Sequence, residues 1–130
     1  VGLNVFRSSS GDEHTRISFF QQDHRRFGIS SLQIDVSESS LRSDVFARTP
    51  EIAPITLQKD ELLRLRIFID RSIVEVFANQ RQCVTTRVYP ELDESNGVSV
   101  FARGSSARLM SIDVWQMRSV WPELQHLEGN

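Results

Sequence analysis

Asp70 and Glu75 are the two residues of this chain whose type and spacing come nearest to an acid–base pair. Two carboxyl groups can act together as acid and base, or as acid and nucleophile, when both side chains reach one substrate. Here a predicted turn separates the two, so their side chains need not converge. We therefore predict no catalytic residue in this chain and keep Asp70 and Glu75 as candidate binding residues.

Residue types that bind metals or react as nucleophiles do not form a recognisable site. His14, His24 and His126 have no spacing that would place two of them on one strand face, as a zinc site requires. The acidic stretch at residues 91–96 lacks the regular spacing of a calcium loop. Cys83 is the single cysteine, which excludes an internal disulfide and predicts a small buried side chain. We expect no metal and no cofactor.

Composition indicates one globular domain. The 130 residues are 39% hydrophobic and 25% charged, enough for a single core. The net charge of −2 gives no bulk field that would attract nucleic acid or an anionic membrane. No apolar run approaches the roughly 20 residues of a membrane-spanning helix. The composition leaves the cellular compartment open, and the missing initial Met suggests that the chain was excised from a longer one.

The elements that position Asp70 and Glu75 are three predicted strands within residues 63–90. Aliphatic side chains alternate with Arg64, Arg66 and Phe68 in the first strand, which is the period of a strand with one buried face. If Asp70 opposes Ile73, all the aliphatic side chains of the first hairpin lie on one face. The same register places Glu75 opposite Phe68 and diagonal to Arg66, within reach of an ion pair.

The rest of the chain also alternates between short apolar strands and polar turns. Further strands are predicted at residues 1–8, 15–22, 27–36, 45–47, 52–57, 98–102 and 107–117. With the three central strands this gives about ten, and no segment has a sustained helical period apart from a short turn at residues 121–124. The pattern predicts an all-β fold, a two-sheet antiparallel sandwich of the concanavalin or lectin-like kind.

The central stretch resembles the C-terminal β-sandwich module of glycoside hydrolase family 32, the family of invertases, levanases and inulinases. The family's phrase of Asp-Arg-Ser followed by Val-Glu-Val-Phe is matched at residues 70–72 and 74–77. IDVSESS at residues 34–40 and GVSVFARGSSARLMSIDVWQM at residues 97–117 match further segments in the same order. The resemblance implies a sandwich fold for the whole chain and a parent enzyme that splits sucrose or fructans.

The catalytic motifs of that family are absent from this sequence. The family places its nucleophile in Asn-Asp-Pro, a second Asp in Arg-Asp-Pro and its acid/base Glu in Glu-Cys, all on an N-terminal five-bladed β-propeller. None of the three motifs occurs here, and Gln82 precedes the only cysteine. By resemblance the chain is therefore an accessory module, 1–130, whose partner is the catalytic propeller of the same parent chain. An independent enzyme is the least favoured reading, and the excised domain could also self-associate.

Aromatic side chains leave a second function open, that of a fructan- or other carbohydrate-binding module. Trp115 alternates with Asp113 and Met117 in the last predicted strand, and Tyr89 ends the central meander. Either aromatic residue could carry a sugar ring or pack against the partner domain.

Gln80 departs from the family pattern, which has Gly at this position of the second turn of the meander. A two-residue mirror-image turn would force Gln80 to a positive φ, whereas a longer turn through Arg81 would avoid it.

Overall fold

The computed structural model describes residues 1–23 and 29–118. Within these ranges the fold is all-β, with two antiparallel sheets, which confirms the predicted class. The strands are β1 (Gly2–Arg7), β2 (Thr15–Asp23), β3 (Ile29–Asp35), β4 (Glu51–Pro54), β5 (Leu65–Asp70), β6 (Ile73–Ala78), β7 (Gln82–Arg87) and β8 (Gly97–Phe101). His24, His126 and the predicted helical turn at residues 121–124 lie outside the described residues. No helix in the described ranges is long and apolar enough to cross a membrane.

The larger sheet has five strands in the order β4-β3-β2-β1-β8. Its core face follows from direct pairing, because residues opposite each other in a sheet point to the same side. Ile17, fully buried in β2, pairs with Ile34 of β3 on one side and with Leu3 of β1 on the other. Leu3 pairs in turn with Val100 of β8, so all four side chains face the same way.

The smaller sheet is the predicted meander, in the order β5-β6-β7. Its register pairs Asp70 with Ile73, Ile69 with Val74, Ile67 with Val76 and Leu65 with Ala78, as the alternation predicts. Val74, Val76 and Ala78 are fully buried. The pattern succeeded here because a shift of one residue would have exposed this entire aliphatic set.

The core lies between the two sheets, where β7 of the smaller sheet contacts β3 and β4 of the larger one. The buried apolar side chains are Val5, Ile17, Phe19, Leu32, Ile34, Val36, Ala53, Ile55, Val74, Val76, Ala78, Val84 and Val88. They come from both sheets, which makes the fold a two-layer sandwich. Three strands nevertheless cover less area than five, and no strand of the smaller sheet covers the core face of β8 among the described residues.

Two predicted strands do not form. Residues 107–117 and 45–47 have no strand pairing in the structure. Alternation in residues 107–117 satisfies the local requirement for a strand, but a strand also needs a neighbour to pair with, and none of the described residues pairs with this segment. The count of strands among the described residues is consequently eight rather than about ten.

Two further expectations about β7 are wrong. Cys83 is exposed rather than buried, because it pairs with Phe77 on the outer face of the smaller sheet. The turn before β7 does run through Arg81, whose amide donates to the carbonyl of Ala78 at 3.0 Å. Gln80 still takes a positive φ of 56°, next to Asn79 at 48°. The longer turn therefore does not relieve Gln80 of the left-handed conformation.

Candidate functional site

Asp70 and Glu75 lie on one hairpin without forming a site. Asp70 ends β5 and is exposed at the turn, where it pairs with Ile73. Glu75 lies in the middle of β6, half-buried, with Phe68 opposite on β5 and Thr85 opposite on β7. The two carboxylates share the outer face of an open sheet and line neither the cleft around Val36 and Val88 nor the one around Ile29 and Pro54.

The ion pair expected between Glu75 and Arg66 does not form. Neither side chain makes a salt bridge or hydrogen bond among the described residues, although the predicted pairing of Glu75 with Phe68 is confirmed. The neighbouring aromatic rings of Phe68 and Phe77 instead pack edge to face, with centroids 5.9 Å apart. Arg66 and Glu75 are diagonal neighbours on the sheet, and residues in that relation are relatively far apart. An ion pair between exposed side chains at such a distance is too weak to hold the Arg side chain in place.

Trp115, the third candidate, stands in the unpaired segment at residues 107–117. Its side chain is 76% exposed, and no described residue hydrogen-bonds to it. The apolar neighbours that alternate along the same segment are exposed as well: Leu109, Met110, Ile112, Val114 and Met117. A run of exposed apolar side chains is unusual on the surface of a soluble protein and typically marks a contact with another polypeptide segment.

Tyr89, the fourth candidate, lines a cleft of about 330 Å³. One wall is the connection between β3 and β4, and the other is the end of β7 with the residues that follow it. The lining residues are Val36, Ser39, Asp44, Val45, Phe46, Arg48, Arg87, Val88 and Tyr89. The floor is apolar and buried at Val36 and Val88, whereas the rings of Phe46 and Tyr89 are exposed at 84% and 44%. Trp115 is not part of this cleft.

Arg48 ties the two walls of the cleft together. Its Nη2 donates to the hydroxyl of Thr86 at 3.2 Å and to the carbonyl of Arg87 at 2.5 Å. On the same wall as Arg48, the Arg42 guanidinium binds the Asp44 carboxylate through two hydrogen bonds of 2.8 and 2.6 Å. This two-pronged contact lowers the pKa of Asp44 and fixes the orientation of its carboxylate.

Glu13 is the buried carboxylate behind these walls, and sequence patterns did not single it out. It is fully buried, and each of its oxygens accepts two hydrogen bonds. Oε1 accepts from the amides of Leu41 at 3.1 Å and Glu91 at 2.7 Å. Oε2 accepts from the amide of Leu92 at 3.1 Å and from the hydroxyl of Ser95 at 2.5 Å. One carboxylate thus joins the turn before β2, the connection before β4 and the acidic loop before β8.

The pKa of Glu13 reflects this set of donors. Burial by itself would raise the pKa, since it removes water from the charged form. The four hydrogen bonds favour the carboxylate more strongly, and together they hold the pKa below its ordinary value. Glu13 is consequently an ionised anchor inside the fold. With all four donors directed inward, it is closed to ligands.

No group of three or more His, Cys, Asp or Glu side chains that could hold a metal ion occurs within residues 1–23 and 29–118. Among the described residues, the cleft at Tyr89 has more of the features of a ligand-binding site than any cluster of carboxylates. It has an apolar floor, two exposed aromatic rings and charged groups of both signs.

Comparison with known proteins gives consistent matches. Residues 1–116 match the family described as Glycosyl hydrolases family 32 C terminal. The chain is 32% identical over 121 residues to beta-fructofuranosidase, insoluble isoenzyme 5, of Oryza sativa subsp. japonica, covering 89% of this chain and 22% of that protein. It is also 32% identical over 125 residues to fructan 1-exohydrolase w3 of Triticum aestivum, covering 90% and 21%.

A similar fold occurs in the crystal structure of fructan 1-exohydrolase IIa from Cichorium intybus. The TM-score is 0.59 at 30% sequence identity, and the match covers 75% of this chain and 19% of that one. The chain thus spans about a fifth of the length of the relatives that it matches.

Proposed function

Because this chain belongs to the C-terminal domain family of the family 32 glycosyl hydrolases, we propose that it is the accessory module of a longer enzyme acting on sucrose or fructans. In this proposal the module packs against the catalytic β-propeller of the same parent polypeptide, stabilises it and borders its substrate cleft. The names of the relatives, beta-fructofuranosidase and fructan 1-exohydrolase, support this substrate class. Their length, about five times that of the match, supports a parent that carries the catalytic residues elsewhere.

The observation that carries the proposal is apolar surface on the core side of the sandwich with no described residue packed opposite it. Val100 faces the same side as buried Ile17, yet it is 54% exposed. Val98, two residues earlier on the same strand, points to that side as well and is also exposed. Ile69 pairs with fully buried Val74 on the smaller sheet and is 46% exposed. We refer to Ile69, Val98 and Val100 as the open core edge.

Segment 107–117 adds a second apolar surface close in sequence to β8. Its alternating pattern is that of a strand, and its backbone has no hydrogen-bond partner among the described residues. Such a segment lowers its free energy by pairing with another strand and burying its side chains. Together with the open core edge it gives the module a contact surface for the rest of the parent polypeptide.

The carboxylates support an accessory rather than a catalytic role. Retaining hydrolysis of a glycoside needs two carboxyl groups roughly 5 Å apart across one sugar. Glu13 is enclosed by its own donors, and Asp44 is held by Arg42. Asp70 and Glu75 lie on an open sheet face. In this proposal the chemistry belongs to the propeller, and the module contributes stability and shape.

The first test of this proposal is the size of the natural polypeptide. An immunoblot of source cells with an antibody against this domain should show a band several times larger than 14.9 kDa. A band at 14.9 kDa would contradict the accessory role, because no catalytic domain would then be attached.

The second test is a matched pair of substitutions on opposite faces of the larger sheet. Val100→Asp places a charge on the open core edge, whereas Ile52→Asp places one on the other face, where Ile52 pairs with Gln33. Both side chains are exposed in this chain, at 54% and 41%. We expect Val100→Asp to lower the thermal midpoint of the parent enzyme by several degrees and to affect the 130-residue chain little, because only the parent buries the charge. An equal effect of both substitutions in the parent would contradict the assigned surface.

A further inference from the structure

The cleft at Tyr89 lies apart from the open core edge and has the features of a small-molecule site. Its volume of about 330 Å³ is at the lower end of the range of about 300–1,000 Å³ that such sites occupy. None of the residues of the open core edge lines it. The contact surface for the parent polypeptide therefore does not account for this cleft.

The walls of the cleft are held in place before any ligand binds. Glu13 accepts hydrogen bonds from Leu41 on one wall and from Glu91, two residues after Tyr89, on the other. Arg48 crosses between the walls to Thr86 and Arg87. A site whose walls are already joined by hydrogen bonds loses less conformational entropy when a ligand binds.

The polar groups of the cleft can hold hydroxyls as donors and as acceptors. Asp44 supplies acceptor oxygens, whereas Arg48 and Arg87 supply N–H donors. Each sugar hydroxyl can both donate and accept, so it can use either kind of group.

The exposed rings of Phe46 and Tyr89 complete the arrangement. The Phe46 side chain is 84% exposed, so it buries little apolar area and contributes little to the stability of the fold. Aromatic rings above an apolar floor can cover the C–H face of a sugar while polar groups at the edge hold its hydroxyls. The lining of Val36 and Val88 provides that floor.

We infer that this cleft is a subsite for fructosyl units of the saccharide on which the parent enzyme acts, with Tyr89 and Phe46 as its stacking residues. The inference rests on the proposed function for the choice of sugar. Trp115 has no part in it, because that side chain lies outside the cleft. The site lets the module hold a neighbouring part of a fructan chain while the catalytic domain cleaves its end.

The test is affinity electrophoresis of the natural polypeptide through gels that contain inulin, levan or dextran. We expect inulin or levan to retard the protein and dextran to leave its migration unchanged. Tyr89→Ala and Phe46→Ala should each weaken the retardation about 3- to 10-fold, from the typical contribution of an aromatic contact. Phe68→Ala is the matched control, since Phe68 is 42% exposed on the outer face of the smaller sheet and does not line the cleft.

Equal retardation of all three variants and the unsubstituted protein would overturn the inference, and so would equal retardation by dextran. Thermal unfolding of each variant verifies that the exposed substitutions leave the fold intact. The Val100→Asp test gives an independent result for the proposed function. If Tyr89→Ala weakens the contact with the catalytic domain and leaves retardation unchanged, the cleft is an interdomain surface. The subsite would then be wrong and the accessory role would stand.

Discussion

Glu13 and Ser95 lie 82 residues apart in the sequence and meet inside the fold, where the Ser95 hydroxyl donates a 2.5 Å hydrogen bond to Glu13 Oε2. The contact draws the acidic loop before β8 against the turn before β2. Because Glu13 also accepts from Leu41, the same carboxylate fixes the connection that forms one wall of the cleft. A single buried charge thus determines how three loops are arranged at one end of the sandwich.

Replacing Glu13 with Gln should lower the free energy of unfolding by about 3 kcal/mol. The amide of Gln offers only one acceptor oxygen, so two of the four buried donors lose their partner, and each costs about 1–3 kcal/mol. Urea unfolding of the 130-residue chain at neutral pH measures the change. The control is Glu94→Gln, since the Glu94 carboxylate accepts only an exposed hydrogen bond from the Ser9 hydroxyl, and the change should alter stability by less than about 0.5 kcal/mol. A similar small effect for Glu13→Gln would mean that Glu13 is not the anchor.

Acid should destabilise the fold through Glu13. Its pKa is lowered in the folded state, so its contribution is fully present above the unfolded value of about 4.5 and is lost as the pH falls through the folded value. We expect the free energy of unfolding of the unsubstituted chain to fall as the pH drops below about 4.5. The Glu13→Gln variant should lose less over the same range. Parallel curves for the two proteins would contradict this assignment.

Glu61 should contribute to the same acid dependence at lower pH. The amide of Gln58, the side chain of Asn79 and the guanidinium of Arg81 lower the pKa of Glu61 to about 2. Its stabilising effect is therefore present above about 4.5 and is lost as the pH falls towards about 2. The effect is smaller than that of Glu13, because solvent screens the pair with Arg81. Glu61→Gln should flatten the acid end of the unfolding curve, and an unchanged curve would contradict the prediction.

Replacing Gln80 with Gly should stabilise the chain by about 0.5–1 kcal/mol. Gln80 has a φ of 56°, a conformation that costs about 1–2 kcal/mol for residues with a Cβ, part of which the greater freedom of an unfolded glycine offsets. Thermal or urea unfolding measures the gain. Thr85→Gly is the control, because Thr85 lies inside β7 and glycine there should destabilise by a similar amount. A loss of stability in Gln80→Gly would show that the side chain contributes more than the strain costs.

Two features of this protein follow from local sequence patterns, namely the central hairpin and the family. Alternation over residues 63–78 predicted the register, because placing Val74, Val76 and Ala78 on one face with the aliphatic residues of β5 leaves only one pairing. The phrase at residues 70–77 and its companion segments placed the chain in family 32, which the match over residues 1–116 confirms. Both are local signals, carried by residue types at fixed spacing.

Burial and the composition of the cleft depend instead on contacts between segments that are distant in the sequence. Residues 107–117 alternate as a strand does, yet pairing depends on a neighbour that a local pattern does not specify. Val100, like Val74, lies at a core-facing position of an alternating strand. It is nevertheless half-exposed, because the smaller sheet does not reach it. No sequence pattern marks Glu13, because its donors come from segments 28 to 82 residues away. Periodicity reports which face a side chain takes, whereas contacts between distant loops determine what covers that face.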